Sequence, residues 1–175
     1  MSAPAPAADA RQARRARWQL VLVTVALVGV GLAASFLAVP WLSAGPGPDL
    51  GVIGFRLVYN PGVAFGLGGT LPGWVITLVT AVVIAGIATY AWITVPSSPW
   101  FARIGLGAVL AGALTNLVDR SVDGVVTDYL YTGWFPTFNL PDVFITVGVA
   151  LLVLAVFRQP AESADPTAHD SQEVR

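Results

Sequence analysis

The feature that most constrains this chain is the scarcity of charge across its central 140 residues. Residues 18–157 contain three Arg and five Asp, and no other charged side chain. A soluble domain of this size needs a far more polar surface, so most of this surface must face lipid. The overall composition agrees, because 55% of the 175 residues are apolar and 11% are charged. The chain is therefore predicted to be an integral membrane protein.

Four apolar runs predict four transmembrane helices. Residues 18–42 and 74–95 are uncharged runs of 25 and 22 residues, which exceed the roughly 20 residues that a helix needs to cross a bilayer. Residues 104–118 and 143–157 are only 15 residues each, and reach full length by including flanking residues such as Arg103, Asp119 and Asp142. The fold class is thus all-α, with charged side chains at the ends of the last two spans.

The Arg residues predict the orientation of these spans. They cluster before the first span and also flank the third and fourth spans, which places both termini and the loop of residues 96–103 in the cytoplasm. Residues 1–17 and 158–175 are predicted to be disordered cytoplasmic tails on a four-span domain of residues 18–157. A cleaved signal peptide is the alternative for the first run, but 25 apolar residues are too many for a typical one.

Two segments are expected outside the membrane. In residues 43–73, the alternation and β-branched residues of positions 51–59 predict a short strand or hairpin that rests on the membrane surface. The second segment covers roughly residues 120–141. Together they predict a small extracytoplasmic β hairpin or cradle over the four helices.

The composition excludes several chemistries. The chain has no Cys, no Lys and one His, His169, which lies in the polar C-terminal tail. Thiol nucleophiles, Ser–Lys dyads and His-based zinc sites or triads in the membrane core are therefore excluded. The only basic cluster is N-terminal, so nucleic acid is not an expected partner. Any catalysis must rely on carboxylates.

Acidic residues concentrate at the outer ends of spans three and four. Asp128 and Asp142 are flanked by apolar residues, and a chain that leaves one span and re-enters by the next can bring them together. Two carboxylates in reach of one another cannot both ionise easily, so one acts as an acid and its neighbour as a base, as in aspartic proteases. The alternative interpretation is that these acids only cap helices, since Asn139-Leu-Pro-Asp142 is a good helix start.

Other polar and small residues recur at helical spacing on the third span. Gly107, Ala108, Ala111 and Gly112 predict close helix packing. On the same span Asn116, Asp119 and Arg120 share one face at the outer end, which favours a network that supports a site over simple snorkelling. Asn60, in a Pro-Gly turn, either belongs to a connector or holds a substrate backbone.

These segments resemble four sequence elements of the lipoprotein signal peptidase (signal peptidase II) family. Asn60-Pro-Gly-Val-Ala-Phe65 resembles its N-x-G-x-A-F element, and the segment from Gly112 to Arg120 its G-A-x-x-N-x-x-D-R element. The segments ending at Tyr129 and Ile145 resemble its V-V-D-F and F-N-x-A-D-x-x-I elements. Order, spacing and the four-span topology also fit.

The resemblance implies an aspartyl endopeptidase that cuts a diacylglyceryl-modified prolipoprotein on the amino side of its lipidated cysteine. Asp128 and Asp142 are the implied catalytic pair, and the resemblance implies no metal or organic cofactor. The implied substrate-binding and supporting residues are Asn60, Gly62, Asn116, Asp119, Arg120 and Asn139. The expected location is the bacterial cytoplasmic membrane, with the site at the extracytoplasmic face, and the expected state is a monomer in contact with membrane lipids.

The sequence departs from the family pattern at several positions. The family usually carries an Asp followed four residues later by a Lys in the first span, where this chain has Gly31 and Ser35. Thr115 stands in place of a Gly, Thr127 is an extra residue, and Pro141 stands in place of an Ala. These departures motivate one alternative, a weak or inactive paralogue that binds lipopeptides. A proton-coupled carrier that relays protons through the two acids is a third hypothesis, and requires them near the bilayer midplane.

Overall fold

Four long helices and a two-stranded sheet make up the fold of the part of the chain that the structure describes. The computed structural model describes residues 6–62 and 72–158. The helices are α1 (Pro6–Leu42), α2 (Gly73–Thr94), α3 (Trp100–Asp123) and α4 (Leu140–Phe157), and the strands are β1 (Gly54–Asn60) and β2 (Val126–Tyr131). All four helices are long and apolar enough to cross a membrane, which confirms the prediction of four spans.

The third helix is the centre of the bundle. It packs against α1, α2 and α4, and a larger share of its span is buried, 56% against 17% for each of the others. Leu106 and Leu110 of α3 join a core with Leu20 of α1 and Ile84 of α2. The outer faces of α1 and α2 expose large apolar side chains, which is the surface expected of a protein in lipid.

Glycines let α3 and α4 approach closely. A Cβ atom at Gly105 would lie 2.9 Å from the Gly148 carbonyl oxygen, and one at Gly148 would lie 2.7 Å from the Gly105 carbonyl oxygen. A Cβ atom at Gly112 would collide with the Pro141 carbonyl oxygen. Gly107 packs instead against Val23 of α1. These contacts confirm the predicted role of the small residues of the third span.

The sheet joins segments that are far apart in sequence. β1 and β2 pair antiparallel, with Val58 opposite Asp128 and Asn60 opposite Val126, and the register shifts between Phe55 and Val58. The predicted strand in residues 51–59 is therefore present, but its partner follows α3, so the two strands do not form a local hairpin. Gly124, whose φ of +88° favours glycine, ends α3 and turns the chain towards β2.

The N-terminal segment differs from the prediction of a disordered tail over residues 1–17. The first helix begins at Pro6, so residues 6–17 are helical. Ala, Arg and Gln are good helix formers, and extension of an existing helix needs no new nucleation. Residues 1–5 and the predicted C-terminal tail beyond Arg158 lie outside the described residues.

Arginines and aromatic rings lie together at one end of the bundle, which we call the arginine end. Arg17 stacks over Trp92, with its guanidinium carbon 5.0 Å from the ring centroid. The guanidinium carbon of Arg158 lies 5.7 Å from the centroid of the Phe101 ring. Arg103 donates to Gln19 and to the Ser98 carbonyl oxygen. The sheet lies at the opposite end, where α1 and α3 end and α2 and α4 begin.

Candidate active site

Asp128 lies on β2 and is almost completely buried, at 3% exposure. Asn60 lies on the neighbouring strand and donates from its side-chain nitrogen to Asp128 Oδ2 at 3.2 Å. The other carboxyl oxygen, Oδ1, accepts a hydrogen bond from the Asn139 side chain at 3.1 Å. Both oxygens therefore have an amide donor, one from the sheet and one from the start of α4.

Asp142 lies in the first turn of α4 and forms a capping box with Asn139. The Asn139 side-chain oxygen accepts from the Asp142 amide at 3.0 Å, and Asp142 Oδ2 accepts from the Asn139 amide at 3.1 Å. Asp142 thus caps the start of α4, as the segment Asn139-Leu-Pro-Asp142 predicts. Its second oxygen, Oδ1, accepts from the Asn116 side chain of α3 at 2.8 Å.

Asn139 connects the two acids. Its side chain bonds Asp128, its backbone amide bonds Asp142, and it is only 1% exposed. Its side-chain nitrogen also lies 3.0 Å from Asn116 Oδ1. The structure therefore brings Asp128 and Asp142 into one hydrogen-bonded cluster. Capping of α4 accounts for the contacts of Asp142 but not for those of Asp128.

The environment of Asp128 favours its neutral form. Burial, and after it the Asp142 carboxylate, raise the pKa of Asp128 to about 7, although the Asn60 hydrogen bond acts in the opposite direction. Asp119 and Arg120 have smaller effects of opposite sign. An aspartic acid with such a pKa holds a proton near neutral pH, which is what a general acid requires.

Asp119 and Arg120 of α3 hold the ends of the two strands. Asp119 accepts from the Thr127 amide at 2.7 Å, at the start of β2. The buried Arg120 donates to the Gly62 carbonyl oxygen, just after β1, and Gly62 in turn donates its amide to Asn60 Oδ1 at 3.0 Å. The predicted polar network is therefore present at the C-terminal end of α3, and the Asp119 side chain faces the sheet. Residues 63–65 of the Asn60 element lie outside the described residues.

A cleft of about 850 Å³ opens beside the two acids. Its polar end contains Asn60, Asn116, Asp128 and Asp142. The rest of the cleft lining is mainly apolar and includes residues of α2, α3 and α4 and of the loop between β2 and α4. These residues are Thr80, Ala113, Val143, Ile145, Val147, Trp134, Phe135 and Phe138. Such a cleft can hold an extended peptide at its polar end and an acyl chain along its apolar wall.

Two residues of the site region, Arg56 and Tyr129, were not among the predicted ones. Arg56 of β1 donates twice to Thr137, at 2.8 and 3.0 Å, and its guanidinium carbon lies 3.7 Å from the centroid of the Tyr131 ring, so it anchors the aromatic loop. The Tyr129 hydroxyl accepts from the Leu140 amide at 3.2 Å. Arg56 was detectable as a rare charge in an apolar segment, whereas the Tyr129 contacts have no sequence signal.

The location of the acids disagrees with the carrier hypothesis. Asp142 lies in the first turn of α4, and Asp128 lies on β2, outside the helices. A proton relay needs acids near the bilayer midplane.

Within residues 6–62 and 72–158, no group of three acidic or His side chains is arranged to hold a metal ion.

Known proteins resemble this chain over most of its length. Residues 23–158 match the family described as signal peptidase (SPase) II. The lipoprotein signal peptidase of Mycolicibacterium smegmatis is 36% identical over 186 residues, covering 95% of this chain and 77% of that protein. The lipoprotein signal peptidase of Rhodococcus jostii is 38% identical over 148 residues, covering 79% of this chain and 72% of that protein.

A solved structure shares the fold. A bacterial membrane enzyme determined by the in meso method at 2.3 Å resolution has a TM-score of 0.68 to this chain and 21% sequence identity. The match covers 89% of this chain and 94% of that one. The four-helix arrangement is therefore shared with a known membrane enzyme.

Proposed function

This chain belongs to the signal peptidase II family, and from that premise we propose that Asp128 and Asp142 form its catalytic dyad. The protein is an aspartic endopeptidase that removes signal peptides from prolipoproteins. The observation that carries the proposal is the bridge through Asn139, which bonds the buried Asp128 carboxyl group and the half-buried Asp142 carboxyl group at the polar end of the cleft. Nothing in the comparisons favours the inactive lipopeptide-binding alternative.

The two acids have different tasks in the proposed mechanism. Asp128 starts with the proton, because its burial and the neighbouring charge favour the neutral form, and Asp142 starts ionised with its oxygens bonded by Asn116 and the Asn139 amide. Asp142 takes a proton from water as the water oxygen attacks the scissile carbonyl carbon. Asp128 simultaneously gives its proton to the carbonyl oxygen, which forms a neutral tetrahedral diol.

Collapse of the diol restores the dyad. Asp142 gives its proton to the amide nitrogen as the carbon–nitrogen bond breaks, and Asp128 recovers a proton from the diol hydroxyl. The products are the carboxyl end of the signal peptide and the free amine of the mature lipoprotein. No metal or organic cofactor takes part in these steps.

The substrate proposed for the cleft is a diacylglyceryl-modified prolipoprotein, cut on the amino side of the lipidated cysteine. Asn60, Gly62 and Asn116 are placed to hold the extended peptide beside the dyad. The apolar wall, with Val143 and Val147 of α4, fits the acyl chains. The enzyme is proposed to act as a monomer within the membrane lipids, with nucleic acid absent from its partners.

The proposed orientation follows from the two ends of the bundle. Arg17, Arg103 and Arg158 mark the arginine end, which by the positive-inside rule is cytoplasmic. Both chain termini then lie in the cytoplasm, and the dyad and the sheet lie at the extracytoplasmic face of the bacterial membrane.

The test is cleavage of a synthetic prolipopeptide by the purified protein in detergent. The wild type is expected to cut the diacylglyceryl-modified peptide and to leave the unlipidated peptide intact. Asp128→Asn and Asp142→Asn are each expected to lower kcat by about 10²–10⁴-fold, the usual contribution of a general acid or base. Asp123→Asn, which changes an exposed acid at the same end of the bundle, is the control and should keep wild-type activity.

Each variant is first compared with the wild type for thermal unfolding, so that a loss of activity is separated from misfolding. Cleavage at the wild-type rate by a folded Asp128→Asn or Asp142→Asn variant would exclude the dyad mechanism.

A further inference from the structure

Tyr129 follows Asp128 on β2 and points away from the cleft into the bundle. Its side chain is 5% exposed and packs with Ala38 and Leu42 of α1. Its hydroxyl oxygen accepts a hydrogen bond from the Leu140 amide at 3.2 Å. Leu140 is the first residue of α4, so its amide is one of the donors that a helix start leaves unsatisfied. Tyr129 therefore links the strand that carries Asp128 to the helix that carries Asp142.

Ser35 of α1 adds a third element to this link. It is buried, at 8% exposure, in the part of α1 whose Ala34 and Ala38 pack in one cluster with Tyr129, and it opposes the rise that burial causes in the pKa of Tyr129. One turn earlier, Gly31 leaves room for two neighbours, because a Cβ atom there would lie 3.0 Å from Thr115 Cγ2 and 3.4 Å from Pro141 Cγ. The first span thus packs directly on α3 and on the first turn of α4, next to Asp142.

These contacts lie where the chain departs from the family pattern. Gly31 and Ser35 stand at the first-span positions where the family usually has an Asp and a Lys, and Tyr129 stands where the matching element has a Phe. The extra hydroxyl of Tyr129 bonds the Leu140 amide. The first span therefore carries a neutral hydroxyl group, that of Ser35, where the family usually has a Lys.

We propose that Tyr129 is a positioning residue for the dyad, and that Ser35 holds its hydroxyl in place. The Tyr129 hydroxyl fixes the first turn of α4 and so sets where Asp142 lies relative to Asp128. This inference rests on the proposed function, since it concerns the same two acids. Tyr129 does not line the cleft and does not touch the substrate, so it acts through Leu140 and α4 alone.

The test is Tyr129→Phe in the full-length protein, with prolipopeptide cleavage measured over a range of substrate concentrations. Loss of the hydroxyl is expected to lower kcat about tenfold and to leave KM within about twofold of the wild type, because the cleft keeps its lining while the dyad loses its fixed geometry. Tyr90→Phe removes a hydroxyl from an exposed position of α2 and is the matched control.

The pH profile of kcat separates positioning from a general loss of folded enzyme. A changed distance between the acids alters their mutual interaction, so the limbs of the Tyr129→Phe profile should move, whereas partial unfolding only scales the profile. The groups that act on Asp128 in this test are Asp142, Asp119, Arg120 and Asn60. Unchanged kcat, or a scaled profile with unmoved limbs, would overturn the proposal.

Ser35→Ala tests the second half of the inference. It should cause a smaller loss of kcat than Tyr129→Phe, and the double variant should equal Tyr129→Phe alone, because both changes act on one hydrogen-bonded unit. Independent, additive losses would show that Ser35 does not act through Tyr129. Cleavage by the wild type and by Tyr90→Phe keeps these results separate from the proposed function, which is tested by the activity of those proteins and by the Asp128→Asn and Asp142→Asn variants.

Discussion

Asn139 combines two roles at the scale of a single residue. It is the N-cap of α4, and its side-chain and backbone amides hold Asp128 and Asp142. Replacement of an N-cap Asn by Ala costs about 0.5–2 kcal/mol of stability. The same change here would also remove the side-chain hydrogen bond to Asp128 Oδ1 and the acceptor of the Asp142 amide, while the backbone amide of residue 139 would still bond Asp142 Oδ2. Helix stability and dyad geometry therefore depend on one side chain.

The raised pKa of Asp128 predicts how cleavage depends on pH. The proposed mechanism needs Asp128 protonated, so kcat/KM should fall as the pH rises through about 7, the pKa of this carboxyl in the free enzyme. The Asn60 hydrogen bond lowers that pKa. Asn60→Ala is therefore expected to move the alkaline limb of the kcat/KM profile to higher pH, even if it also weakens substrate binding.

The measurement is prolipopeptide cleavage between pH 5 and 9, at substrate concentrations well below KM, on wild type and variant side by side. A limb that stays in place, or moves to lower pH, would contradict the assignment of Asp128 as the acid.

The residues that bear charge or amide groups in the site were predictable, whereas the hydroxyl contacts were not. Asp128, Asp142, Asn116 and Asn139 stand out because polar side chains are rare and costly in an apolar sequence. Tyr129 does not stand out, because Tyr is common in strands and at membrane interfaces. Its contacts depend on which residues the tertiary packing brings to it, and no local pattern encodes those.

At the scale of elements, the site depends on how closely α4 packs on α3. Gly112 touches the backbone of α4 at Pro141, one residue before Asp142. Gly112→Ala should push this turn away, since overpacking of a tight interface costs about 1–3 kcal/mol. We expect a lower melting temperature and a loss of kcat of at least about tenfold.

Gly86→Ala is the matched control for this change. A Cβ atom at Gly86 would meet nothing within 4 Å, so the same substitution should leave stability and cleavage unchanged or improve stability slightly. Equal behaviour of the two variants would show that the contact between α3 and α4 does not position the dyad.

The elements themselves differed in how well the sequence predicted them. The helices follow from the length of the apolar runs, and β1 from its alternation. The partner of β1 did not follow, because pairing of β1 with β2 depends on the whole of α2 and α3 lying between them. The helix α1 also begins before its apolar run, at Pro6, because hydrophobicity indicates where a helix enters lipid and not where its backbone hydrogen bonds begin.

At the scale of the whole molecule, the unequal ends of the bundle predict its orientation. The chain has no Cys, so single Cys variants can report each side of the membrane without background. Ser43, after α1, is exposed at the end with the sheet, and Ser97, before α3, is exposed at the arginine end. In spheroplasts, a membrane-impermeant maleimide should label Ser43→Cys and should label Ser97→Cys only after permeabilisation.

Cleavage activity of both Cys variants serves as the control for folding. The reverse labelling pattern would place the dyad in the cytoplasm and contradict the proposed orientation.

The length of α4 has a consequence for where in the membrane the reaction takes place. The helix has 18 residues, so it spans about 27 Å at about 1.5 Å per residue, close to the roughly 30 Å of a hydrocarbon core. Asp142 lies at its first turn, and Arg158 follows its last residue. In the proposed mechanism, the length of α4 therefore sets how far the reacting bond lies from the arginine end of the bundle. A thicker bilayer would place both acids deeper in the hydrocarbon and slow the supply of water to them, so under this proposal the acyl-chain length of the host lipids becomes a determinant of turnover.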